Sequence, residues 1–61
     1  MLNNLVIITN ESGGMNEYKY EFFKEGFEEW AEEFDALHTE ENLKQYLNEC
    51  GYKVIEIKEL D

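Results

Sequence analysis

The sequence has no proline, no arginine, a single cysteine and a single histidine. Each scarcity excludes something. One thiol forms no internal disulfide, and one cysteine with one histidine falls short of the common zinc frameworks. Long apolar runs are also missing. The opening MLNNLVIITNESGG has no basic leader and only a short apolar run, and nothing approaches the roughly 20 apolar residues of a membrane span. A soluble, intracellular (cytoplasmic) protein is the expectation, and a lone reduced thiol fits that compartment. Positive charge is scarce as well. Five lysines face fifteen acids, for a formal charge of −10. Such a chain repels nucleic acid phosphates and anionic membranes and favours a basic protein partner.

At 61 residues the chain makes one domain at most. A domain this small is marginally stable alone and usually relies on disulfides, metal, dense packing or association. With the first two excluded, packing or association must serve. The material is nine aromatics: Tyr18, Tyr20, Phe22, Phe23, Phe27, Trp30, Phe34, Tyr46 and Tyr52. Each buries about 150–250 Å², which argues against disorder despite the acidity.

Leu5 to Thr9 (LVIIT) reads as a strand, central in a sheet and covered on at least one face, and Asn10 to Gly14 (NESGG) as a turn. Residues 15–26 carry two periods. Tyr18, Tyr20 and Phe22 alternate as in a strand, whereas Tyr20, Phe23, Phe27, Trp30, Phe34 and Leu37 recur at helical spacing. Gly26 inside a long helix would cost about 1 kcal/mol, and that helix would leave Tyr18 and Phe22 on its polar side. Both points favour a second strand running to about Phe23. Phe27 to Leu37 (FEEWAEEFDAL) is helical on either reading, with Phe27, Trp30, Ala31, Phe34 and Leu37 on one stripe and His38-Thr39 ending it. Thr39 is a good N-cap for a second helix, Glu40 to Glu49, whose inner stripe is Leu43, Tyr46, Leu47 and Cys50. Gly51 fits the position just past its end, and Tyr52 to Lys58 (YKVIEIK) closes as a strand. The expected fold is α+β: a three-stranded, mainly antiparallel sheet with two helices on one face, order ββααβ. The alternative is βααβ with one long first helix.

Catalytic and metal chemistry find little material. Cys50 on the inner helical stripe reads as a small buried apolar residue, and His38 as a helix end where a cation is welcome. Carboxylates at Glu28, Glu29, Glu32 and Glu33 lie exposed, with nothing to make one an acid and another a base. Asp35 and His38 resemble a carboxylate–histidine pair at helical spacing, but a di-iron site needs two such pairs and two further glutamates. No EF-hand loop is present. Ser12-Gly13-Gly14 lacks the Lys-Ser/Thr of a phosphate loop. Base stacking needs a cationic groove that five scattered lysines do not form. No enzyme, cofactor or metal is expected.

The acidic surface remains. From Glu25 to Glu41 there are eight acids and no lysine or arginine. Glu25/Glu29, Glu28/Glu32 and Glu29/Glu33 are like-charge pairs four apart, each destabilising by a few tenths of a kcal/mol. One explanation is solubility alone. Another is recognition: carboxylates four residues apart lie about 6 Å apart along a helix, similar to neighbouring phosphates on a nucleic acid strand. Glu25, Glu28, Glu29, Glu32, Glu33 and Asp35 are then the expected partner-binding residues. In size, acidity and lack of catalytic groups the chain resembles small bacteriophage inhibitors: anti-restriction, anti-CRISPR and uracil-DNA glycosylase inhibitor proteins, several of which act as DNA mimics. The resemblance covers size and composition, not a motif. It implies a basic, nucleic acid-handling partner, without direct nucleic acid or membrane binding. A different expectation is a homo-oligomeric interaction module that uses the aromatics of the second strand, with the acids serving solubility.

Overall fold

The computed structural model describes residues 4–60. The element order is β1 (Leu5–Glu11), β2 (Gly14–Lys19), α1 (Tyr20–Phe34), α2 (Glu40–Glu49) and β3 (Val54–Glu59). The strands form one antiparallel sheet in the order β2-β1-β3. This is the α+β, ββααβ arrangement, with the apolar first strand in the centre.

Residues of β1 divide by parity, as a strand requires. Leu5 and Ile7 are buried in one cluster with Tyr20, Phe23, Phe27 and Ala31 of α1 and Leu43 and Leu47 of α2. Both helices therefore cover this face. On the opposite face Val6 lies between Lys19 and Lys58, and Ile8 between Glu17 and Glu56. Even there Ile8 is buried. Thr9 is fully buried and its hydroxyl has no hydrogen-bond partner. Its branched side chain suits the central strand, and the orphaned hydroxyl is the cost of that choice. The hairpin turns on Ser12 and Gly13, at φ 53° and 77°. Two consecutive positive φ values are the geometry of the two-residue loop that matches strand twist.

The second strand stops earlier than its alternation indicates. β2 ends at Lys19 and α1 begins at Tyr20, not near Phe27. Tyr20, Phe23, Phe27 and Ala31 are buried at intervals of three, four and four. The hairpin and the long helical period are thus both real, joined at Lys19. Phe22 is the residue displaced by this arrangement. It is 68% exposed, with its ring stacked on Tyr18 at 5.3 Å.

The first helix also ends early. Phe34 is its last residue, and Asp35 takes the left-handed conformation at φ 53°. The Ala36 N–H donates to the Ala31 carbonyl at 2.8 Å and that of Asp35 to Glu32 at 3.3 Å, which closes the helix end. Phe34 and Leu37 are consequently 60% and 75% exposed, outside the core where the apolar stripe placed them. Ala36 packs on the core instead. At α2 the expected signals hold. Thr39 Oγ1 accepts from the Asn42 N–H at 3.1 Å, and Gly51 stands at φ 99°. The Tyr52 N–H donates to Leu47 and that of Gly51 to Asn48. Cys50, expected to be buried, is exposed at the helix end. The chain reverses at Gly51, and Tyr52 reaches the core edge against Tyr18 and Phe23.

Gly26 lies inside α1 because α2 crosses there. A Cβ at Gly26 would collide with the Tyr46 hydroxyl and stand 3.4 Å from its Cζ. Tyr46 is held in turn by Phe27 and Trp30, with ring centroids at 5.9 and 5.8 Å. Ala in a helix is favoured over Gly by about 1 kcal/mol, but overpacking costs about 1–3 kcal/mol. Gly26→Ala is therefore destabilising by about 1 kcal/mol in urea melts. In a Tyr46→Phe background, which removes the colliding oxygen, the same substitution becomes neutral or stabilising. Equal effects in both backgrounds would refute the close approach.

Candidate functional site

α1 carries its charge on the side away from the sheet. Tyr20, Phe23, Phe27 and Ala31 point inward, and Glu25, Glu28, Glu29, Glu32 and Glu33 are all exposed. Helical geometry sorts these acids into rows. Glu25, Glu29 and Glu33 follow one another at intervals of four, and Glu28 and Glu32 form a neighbouring pair. The earlier helix start adds Glu21 to the first row, a residue that a strand reading to Phe23 leaves out. Helical spacing counted back from Glu25 is the signal for it. Glu21, Glu25, Glu29 and Glu33 span about 18 Å at about 6 Å per step.

Asp35, expected on the same surface, is exposed but sits beyond the helix in its left-handed capping position. It therefore belongs to the rim of the acidic face, not to its rows. A non-glycine residue at positive φ is strained, and Asp tolerates it better than most. The Asp35/His38 pair loses its helical spacing, because residues 36–39 are not helical. His38 does not end α1; its ring packs on Phe27 at 5.4 Å. No group of three or more potential metal ligands occurs among the described residues.

The electrostatic arrangement is costly. The last turn of α1 has no basic residue, yet Glu32, Glu33 and Asp35 crowd the end of the helix that repels anions. Glu21 alone stands at the favourable end. Beneath the rows, burial first, and then the charge of Glu28, raises the Tyr20 hydroxyl above its usual value.

Two further surfaces stand apart from the acidic rows. At the β2 edge, Tyr18 packs on Phe22, Phe23 and Tyr52, and its hydroxyl donates to Glu11 Oε1 at 2.8 Å. That hydrogen bond, followed by burial, raises the Tyr18 hydroxyl as well. Between α2 and β3 runs a groove of about 380 Å³ lined by Glu40, Glu41, Lys44 and Val54 to Ile57. No helix among the described residues is long and apolar enough to cross a membrane.

Comparison with protein-family models, with curated proteins and with solved structures returns no match.

Glu29 lies at the centre of the main row, with Glu25 and Glu33 four residues to either side. Glu29→Lys converts two repulsive pairs into two attractive ones. At about 0.2–0.5 kcal/mol per pair, thermal melts at low salt should show a gain of about 1 kcal/mol. The gain should shrink as salt screens the row. An unchanged or lowered melting temperature would mean that the row is not under electrostatic strain.

Proposed function

We propose that the chain is a non-enzymatic, cytoplasmic binding protein whose acidic α1 face docks on the basic surface of a nucleic acid-handling protein. The observation that carries this reading is the row Glu21, Glu25, Glu29 and Glu33, flanked by Glu28 and Glu32 and unrelieved by any base in the last turn. Solubility requires charge but not this pattern. Lysines interspersed four residues from each glutamate would keep the helix soluble and stabilise it. A row of carboxylates at phosphate-like spacing instead presents a surface that lysines and arginines of a nucleic acid site accept.

The mechanism is occlusion. Long-range attraction brings the two charged surfaces together quickly. The carboxylates then occupy the positions of strand phosphates, and nucleic acid is excluded. The rigid helix supplies the spacing in advance, so little order has to be created on binding. This role matches the phage-type inhibitors that the chain resembles in size and acidity, so the partner is a host enzyme such as a defence nuclease. Direct nucleic acid binding has no part in it.

Changing Glu28, Glu29 and Glu32 together to Lys tests the reading. All three are exposed, so the circular dichroism spectrum should be preserved. Capture of the basic partner from a host extract should fall by at least about a hundredfold, equivalent to about 3 kcal/mol. Undiminished capture by the folded triple variant would rule out docking through α1.

A further inference from the structure

β3 is an edge strand of the sheet, paired on one side with β1. Its outward groups follow from the hairpin. A two-residue loop makes Glu11 and Gly14 exchange both backbone hydrogen bonds. Such pairs alternate along an antiparallel ladder, so Thr9 and Ile7 direct their backbone groups to β2, and Val6 and Ile8 direct theirs to β3. Lys58 and Glu56, opposite Val6 and Ile8, therefore face β1. The Leu60 N–H, which donates to the Asn4 carbonyl at 2.8 Å, continues the same parity. Ile57 and Glu59 are left with their N–H and C=O groups pointing outward. A bulge lies in β3 at Ile55, where Ile8 pairs with Glu56 and Thr9 with Val54. Beyond it Glu56 to Glu59 pairs regularly with β1. Ile55 on the strand and Leu60 just past its end are 48% and 56% exposed.

We propose that β3 pairs antiparallel with β3 of a second copy, with Ile57 on the two-fold axis and Glu56 facing the partner's Lys58. Charge selects this register. Centring the pair on Glu56 or on Lys58 places like charges directly opposite, which destabilises a sheet. Centring on Ile57 produces two Glu–Lys pairs at non-hydrogen-bonded positions, where side chains approach most closely. The α2 side of the groove is self-complementary too, since it offers Glu40 and Glu41 together with Lys44.

The other edge is the poorer choice for two reasons. Pairing β2 on Tyr18, its only register with opposite charges at Glu17 and Lys19, overlaps just the last three residues before α1 begins. It also brings two acidic helices together, because α1 lies over β1 and β2, and α2 over β3. A β3 dimer makes a six-stranded sheet with the α1 helices at its two ends. Each chain carries a formal charge of −10, so this separation matters. It also leaves both α1 faces open, and the inference does not depend on what they bind.

Complementary charge reversal tests the pairing. Wild-type protein should show concentration-dependent dimerisation by sedimentation equilibrium, and salt should strengthen it by screening net repulsion. Glu56→Lys alone and Lys58→Glu alone should each weaken self-association about tenfold or more, through two like-charge pairs apiece. An equimolar mixture of the two variants should recover a mixed dimer, because each then supplies the charge the other lacks. Both positions are exposed, and unchanged melting temperatures would show that folding is unaffected. A monomeric wild type at every concentration overturns the proposal and leaves the edge to a foreign strand. Variants that dimerise as the wild type does, or a mixture that stays monomeric, also overturn it.

Discussion

Phe27 is the residue on which the two helices and the sheet converge. It is fully buried, and its ring lies about one ring width from Tyr20, Trp30, Tyr46 and His38, with centroids at 6.3, 6.0, 5.9 and 5.4 Å. In a chain with no disulfide, this cluster carries the tertiary structure. Two features depend on it. Tyr46 reaches Phe27 only because Gly26 lets α2 approach α1. The Trp30 indole, packed beside Phe27, donates to Glu49 Oε1 at 3.2 Å and ties α1 to the last residue of α2. Aromatic pairs of this kind contribute beyond their buried area, which is how so few residues hold two layers.

Much of this fold is legible in the amino-acid sequence, for physical reasons that differ by element. β1 is an apolar β-branched run followed by a glycine-bearing turn, so its conformation is determined locally. Thr39 and Gly51 mark α2 through capping chemistry that acts within a few residues. The difficult stretch is Tyr18 to Gly26, where aromatics fit both periods. The deciding residue is Gly26, and its meaning is tertiary: the glycine marks a helix crossing, not the absence of a helix. Asp35 hides the end of α1, because a non-glycine residue in the left-handed conformation gives no clear stop signal. The apolar period therefore assigns Phe34 and Leu37 to a core that has already closed at Ala31. Cys50 has the right period for burial but falls where the chain turns back, and Tyr52 covers that edge of the core in its place.

Five of the six acids named from the sequence lie on the outer face of α1, and Asp35 lies just past it. Glu21 escapes that set for the same reason that the helix reads too short. The face and the core are consequences of one periodicity: every residue that α1 does not bury against Ile7, Leu43 and Leu47 is free to carry charge. What the fold does not require is that nearly all of it be negative. Repulsion along the row and at the anion-disfavouring end of the helix both act against α1, and the aromatic cluster beneath offsets them. On the proposed reading, a surface that stays folded against its own charge is preorganised for a partner of the opposite sign.

In the proposed function, that surface takes the place of nucleic acid. Competition on the captured partner, measured across a salt series, tests this most directly. Mimicry predicts that duplex or single-stranded nucleic acid and this protein displace each other from the partner, with affinity falling steeply as salt rises. A ternary complex, in which the partner holds nucleic acid and this protein together with an affinity indifferent to salt, would contradict it.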